Sequence, residues 1–272
     1  MRRLRPMRLL LLVLGAGISL AVAGCSSSPG AVCGNGVVEG AELCDNGTQP
    51  GSLGGGACTS TCTWQEYNPD TAGTGNAIRP SVAMNRAGQY VVVWQASGGT
   101  GAEGQDIYAA VFGASGSLLM PAFRVNEITT VDQEYPSVAI AGDGRFVVTW
   151  HTTDPYGGHD DLDNVSMRAF LANGLPATPE LQVNTYTTGR QNFPSVGVNE
   201  PGDLVIAWSS DGQDGDLTGV YAALGSVDGQ LLAAEPFQVN TEIINLQEKP
   251  NVGVADDGRF VITWESTGQE ST

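Results

Sequence analysis

Four heptads, GQYVVVW, GRFVVTW, GDLVIAW and GRFVITW, place a β-branched apolar run between a glycine and a tryptophan. They begin at Gly88, Gly144, Gly202 and Gly258 and end at Trp94, Trp150, Trp208 and Trp264. The tryptophans recur at intervals of 56, 58 and 56 residues, and Pro80, Pro136, Pro194 and Pro250 each lie 14 positions upstream of one of them. Nowhere do apolar residues hold helical spacing for three turns, so every element is predicted as a strand. A period this long marks one supersecondary unit copied several times.

Within a unit, a strand of the type PSVAMN or PSVAIA leads through a glycine turn to the strand ending in Trp. A Gly/Asp-rich loop follows, then a third strand (Ile107 to Phe112, Val165 to Phe170, Val220 to Leu224) and a fourth ending in F-x-V-N or L-x-V-N. Four antiparallel strands in this length make a propeller blade. One such sheet has two apolar faces and must stack on neighbours to bury them. Trp94, Trp150, Trp208 and Trp264, held at one register, are therefore expected in the core between blades. The predicted fold is all-β: tandem four-stranded blades, β-propeller-like and incomplete at about 3.5 blades. The units run 67–124, 125–182, 183–238 and 239–272, the last one truncated. Trp64 to Asn68 (WQEYN) stands where a preceding unit would place its fourth strand, which brings the expected count to about 15 strands in an open arc or poorly closed ring.

Residues 1–24 read as an export signal. Arg2, Arg3, Arg5 and Arg8 precede the apolar run Leu9 to Val22, which is shorter than the ~20 residues of a membrane span. Val22-Ala23-Gly24-Cys25 resembles the lipobox of bacterial lipoproteins. That resemblance implies diacylation (palmitate-type lipid) at Cys25, a tether over 25–32 and, with Ser26 following, an outer-membrane location. It also resolves an odd count: of five Cys, Cys33, Cys44, Cys58 and Cys62 then remain as an even set for two disulfides, in any of three connectivities. Loss of the four leader arginines leaves 8 Lys+Arg against 29 Asp+Glu, a net of −21. Such a surface repels nucleic acid, so membrane attachment falls to the acyl chains.

Residues 33–63, C-G-N-G-V-V-E-G-A-E-L-C-D-N-G followed by Cys58 and Cys62, resemble the myxobacterial-type cysteine-rich repeat of exported proteins. The resemblance implies a disulfide-stapled surface module with no activity of its own. Residues 67–272 are similar to tandem repeats of large secreted bacterial proteins, in which Q-x-x-P-S-V-A, G-x-F-V-V-x-W, D-G-Q-D-G and F-x-V-N-T succeed one another. Those arrays look like propeller blades and share no single reaction.

Candidate chemistry is sparse. Asp211, Asp214 and Asp216 in one inter-strand loop, and Asp160, Asp161 and Asp163 in another, alternate carboxylates on Gly-rich turns as Ca²⁺ ligands do; a hairpin loop uses the same residues for turns alone. His151 and His159 are the only histidines, too few for a zinc site without free Cys. No G-x-S-x-G elbow is present. The Asp-box of propeller sialidases is only faintly echoed by Asp143-Gly144 and Thr149-Trp150, at the wrong spacing. No catalytic residue is assigned. The expected function is non-enzymatic: an envelope-anchored scaffold for binding, display or adhesion, with a surface glycan or a protein as partner. The alternative is a glycan-active propeller enzyme of the sialidase or glycosidase kind, whose paired carboxylates cannot be picked from so many acids.

Overall fold

The computed structural model describes residues 68–70, 75–97, 104–153, 163–232 and 235–268. The export signal, Cys25, the cysteine module, His159, Asp160 and Asp161 lie outside them.

Fourteen strands occupy the described residues, and no helix does. The first blade is β1 (Asn76–Met84), β2 (Tyr90–Ser97), β3 (Gln105–Phe112) and β4 (Leu118–Arg124). The second is β5 (Gln133–Ile140), β6 (Phe146–Thr153), β7 (Asp163–Phe170) and β8 (Leu181–Gln182). The third is β9 (Gln191–Val198), β10 (Asp203–Asp211), β11 (Thr218–Ser226) and β12 (Phe237–Gln238). Each is an antiparallel meander in chain order, and the fourth unit contributes the two-stranded sheet β13 (Gln247–Val254) and β14 (Phe260–Ser266). The propeller-like all-β architecture expected from the repeat is thus what the described residues adopt. Trp64 to Tyr67 fall outside the described residues and Asn68 is not in a strand.

Each conserved-looking letter of the repeat has a structural task. Every first strand carries a bulge at its proline: the register skips between Ile78 and Ser81, Glu134 and Ser137, Asn192 and Ser195, and Glu248 and Asn251. Two residues there oppose one on the second strand, and that one is the repeat Trp. Proline suits a bulge because it has no N–H for the ladder. The serine after it joins blades, since Val196 N donates to Ser137 Oγ (3.2 Å) and Val252 N to Ser195 Oγ (3.1 Å). The turn glycine takes φ values from 83 to 106° at Gly88, Gly144, Gly202 and Gly258, a conformation that costs a side chain energy.

The Val-Asn pair is a brace. Asn126, Asn184 and Asn240 are buried, and each Oδ1 accepts the backbone N–H of a third-strand residue, Ile107, Val165 or Val220, at 2.8 Å. Each Nδ2 donates to a side chain at the head of that strand or in the loop before it: Asp106 (2.6 Å), Asn164 (2.8 Å) and Asp214 (3.0 Å). A buried amide with its donors and acceptor all met fixes one geometry. The fourth strand is thereby held although β8 and β12 have only two residues each.

The core lies between blades. Phe146, Val148 and Trp150 pack with Val91, Val93 and Ile107 of the first blade. Val147 and Met167, on the other face, pack with Leu204, Ile206 and Trp208 of the third. Trp94, Trp150 and Trp208 are fully buried, and the indole N–H of Trp150 and of Trp208 donates to Gln133 (2.7 Å) and Gln191 (3.1 Å). Trp264 departs from the expected pattern: it is only half-buried, and Phe260 and Val261 beside it are exposed.

Candidate functional site

The four first strands run side by side about one axis. Near one end, the turns after them link blade to blade: Asn85 Nδ2 donates to Ala141 O (3.3 Å), Gly142 N to Glu200 O (3.1 Å) and Asn199 Nδ2 to Ala255 O (3.3 Å). Arg86 of the first turn closes this set, pairing with Glu200 of the third and Asp256 of the fourth. On the axis, at the level of the bulges, sits a cavity of about 480 Å³ lined by all four blades.

The bulge residues line it: Arg79, Tyr135, Phe193 and Lys249, each directly before the repeat proline. Their φ angles are 52, 53, 51 and 53°. An L side chain with a Cβ is disfavoured there, and a following proline pulls its predecessor toward extended conformations instead. Strain of this kind costs about 1–3 kcal/mol per residue and survives only when the surroundings enforce it. The enforcement is visible. Gln95 Oε1 accepts from Tyr135 N (3.0 Å), and Ser209 Oγ accepts from Lys249 N (2.9 Å). Both acceptors directly follow a repeat Trp. The corresponding residue of the second blade is His151.

His151 is buried, and its Nδ1 has no partner among the described residues. Its Nε2 lies 3.5 Å from Glu134 Oε2, its cross-strand neighbour. The hydrogen bond with His151 is the largest influence on Glu134 and holds its carboxyl below the usual range, aided by Arg79 and Gln95 and opposed by burial. In the fourth unit the matching cross-strand pair is Glu248 and Glu265. Lys249 Nζ stands between them, at 3.3 and 2.8 Å, and these partners keep its ammonium charged to higher pH, Glu265 foremost.

The cavity lining is of two kinds. Tyr135 and Phe193 meet edge to face at 4.9 Å, with His151 also 4.9 Å from Tyr135. Arg79 and Lys249 bring charge to the same lining, and the Arg79 guanidinium lies 3.4 Å above the Tyr135 ring. Glu134 and Glu248 each stand one residue before a lining residue, Tyr135 in the second blade and Lys249 in the fourth.

Of the aspartates proposed for calcium, Asp211, Asp214 and Asp216 each hold a different partner. Asp211 Oδ1 accepts from Thr218 Oγ1 (2.9 Å), Asp214 Oδ2 from Asn240 Nδ2 (3.0 Å) and Asp216 Oδ2 from Asn245 N (2.7 Å). Asp163 opens β7 opposite Thr153. Among the described residues no three His, Cys, Asp or Glu side chains assemble as a metal site requires. Sequence reasoning passed over the axial residues. Their signal was present nonetheless: R-P-S-V-A, Y-P-S-V-A, F-P-S-V-G and K-P-N-V-G change most just before the proline.

No protein-family model matches the chain, and no curated protein matches it in sequence. Solved structures share its fold. An endo-arabinase from Bacteroides thetaiotaomicron is 12% identical, with 75% of this chain and 76% of that one covered at a TM-score of 0.46. An α-L-arabinanase from Penicillium chrysogenum complexed with arabinobiose is 12% identical, covering 76% and 65% at 0.46. An arabinanase from Bacillus subtilis is 12% identical, covering 72% and 70% at 0.42. All three are named as glycan-degrading enzymes, in contrast to the binding, display or adhesion scaffold expected from the sequence. A likeness of this degree is one of overall fold and carries no activity to this chain. A propeller-like array is no ground for assigning a passive role.

Proposed function

We propose that the axial cavity is a glycan-active site and that the protein is a glycoside hydrolase of the propeller kind. The observation that carries this reading is the pairing of carboxylates with a sugar-sized, half-aromatic cavity. Glu134 and Glu248 each directly precede a residue that lines about 480 Å³ of space walled by Tyr135 and Phe193. Glycosidic bonds are cleaved between two carboxyl groups, one ionised as base or nucleophile and one protonated as acid. Glu134, held ionised beside His151, suits the first role. Glu248 is the second carboxyl of the pair.

The test is a hydrolysis screen on arabinan, xylan and other plant and bacterial polysaccharides, followed by Glu134→Gln and Glu248→Gln. Each variant should lose turnover by about 100-fold or more while still unfolding cooperatively. Absence of turnover on every substrate, or full activity in both variants, ends the proposal.

The leader motif supports placing this site outside the cytoplasm on a lipid anchor at Cys25, with the cysteine module between anchor and repeats. Mass spectrometry of the mature N-terminus tests it, and an unmodified Cys25 refutes it.

A further inference from the structure

We infer that Arg79, Tyr135, Phe193 and Lys249 form a specificity ring for uncharged sugars, held in a strained backbone so that their side chains meet on the axis. This inference rests on the glycan-active reading and deepens it. Apart from Asn245, of a residue type that tolerates positive φ, these four are the only non-glycine residues with positive φ among the described residues. Glycine would relieve the strain at once, and the chain uses glycine freely in its turns. At these four places it instead carries two aromatic rings and two long cations. Strain repeated in every unit, where a cheaper residue exists, marks side chains needed for what they touch.

The sugar class follows from charge. Neither cation is free for an anionic ligand: Arg79 Nη1 lies 4.0 Å from Glu134, and Lys249 is engaged by Glu248 and Glu265. Two cations beside three carboxylates leave an excess of negative charge, which disfavours uronic or sialic acids. Paired donors and acceptors suit hydroxyl groups, each of which can give and take a hydrogen bond. The Phe193 ring presents surface on which the apolar face of a sugar can lie, beside the Tyr135 ring that the Arg79 guanidinium covers.

Arg79→Gly and Phe193→Gly test the ring, with Phe193→Tyr as the conservative control. Arg79 is exposed and Phe193 half-buried, and the backbone at both favours glycine, so melting temperatures should stay within about 3 °C of the parent. Binding of the best neutral oligosaccharide from the screen, read by calorimetry on the full chain, should weaken by about tenfold or more in both glycine variants and persist in Phe193→Tyr. Undiminished binding in the glycine variants overturns the ring while leaving the hydrolase reading standing. A large fall in melting temperature for Arg79→Gly also overturns it, because that residue would then be structural. Tighter binding of an acidic than of a neutral oligosaccharide overturns the sugar class. No binding of any glycan by the parent protein sinks this inference and the hydrolase reading together.

Discussion

The second and fourth units carry almost the same strand, GRFVVTW and GRFVITW, and the molecule treats them oppositely. Phe146, Val147 and Trp150 are 0% exposed, whereas Phe260 is 38% and Val261 65% exposed. β6 is paired on both edges, by β5 and β7, and covered on both faces by the first and third blades. Among the described residues β14 is paired only with β13. Apolar patterning states what a strand can bury; its neighbours determine what it does bury.

The contrast can be broken most directly at the tryptophans. Trp150→Ala should cost about 3–5 kcal/mol, as expected for emptying a sealed core site. Trp264→Ala should cost less than about 2 kcal/mol. Urea unfolding of both variants measures the gap, and equal losses would mean that Trp264 is sealed in solution.

A smaller effect is expected from the brace on β7, the strand for which β14 has no counterpart. Asn184→Ala strips an acceptor from Val165 N and a donor from Asn164, inside the core. About 2–3 kcal/mol should be lost, and amide exchange at Val165 should accelerate if the brace is what holds it.

Isosteric polarity changes sharpen the comparison further. Val147→Thr buries a new hydroxyl and should cost about 1–2 kcal/mol, while Val261→Thr should stay within about 0.5 kcal/mol of the parent. Thermal melts of the pair suffice.

The smallest effect concerns pH. Glu134 titrates below its ordinary range in the folded state, so the stability it contributes is complete above that ordinary range and is lost as pH falls through the folded value. Glu134→Gln should lower the neutral plateau slightly and flatten the acid limb of a stability-versus-pH curve. An unchanged acid limb would show that His151 and Glu134 do not interact.

Much of this fold could be read from the chain because each repeat letter answers to a local rule. Glycine at the turn, proline at the bulge and tryptophan opposite it all act within one hairpin. The axial site could not be read in the same way. Glu134, Tyr135, Phe193 and Lys249 come together only when separate units converge on an axis, and Gln95 and Ser209 of preceding blades hold the strained backbone at Tyr135 and Lys249. The loop aspartates attracted notice because turn residues and calcium ligands share a vocabulary. The hydrogen bonds that occupy Asp211, Asp214 and Asp216 depend on partners such as Asn240 and Asn245 that only the fold brings near.

The pairing of Arg86 with Asp256 spans 170 positions of chain, while every hairpin beside it closes within a single unit. Loop closure grows only as the logarithm of length, about 0.6 kcal/mol per doubling, so such a seam is cheap at equilibrium. In time it is another matter. Neighbouring blades can form from short-range encounters, and the contact that joins first unit to last must wait for all of them. What assembles last on these terms is also first to part, and native-state opening should begin between Arg86 and Asp256 long before any blade unravels.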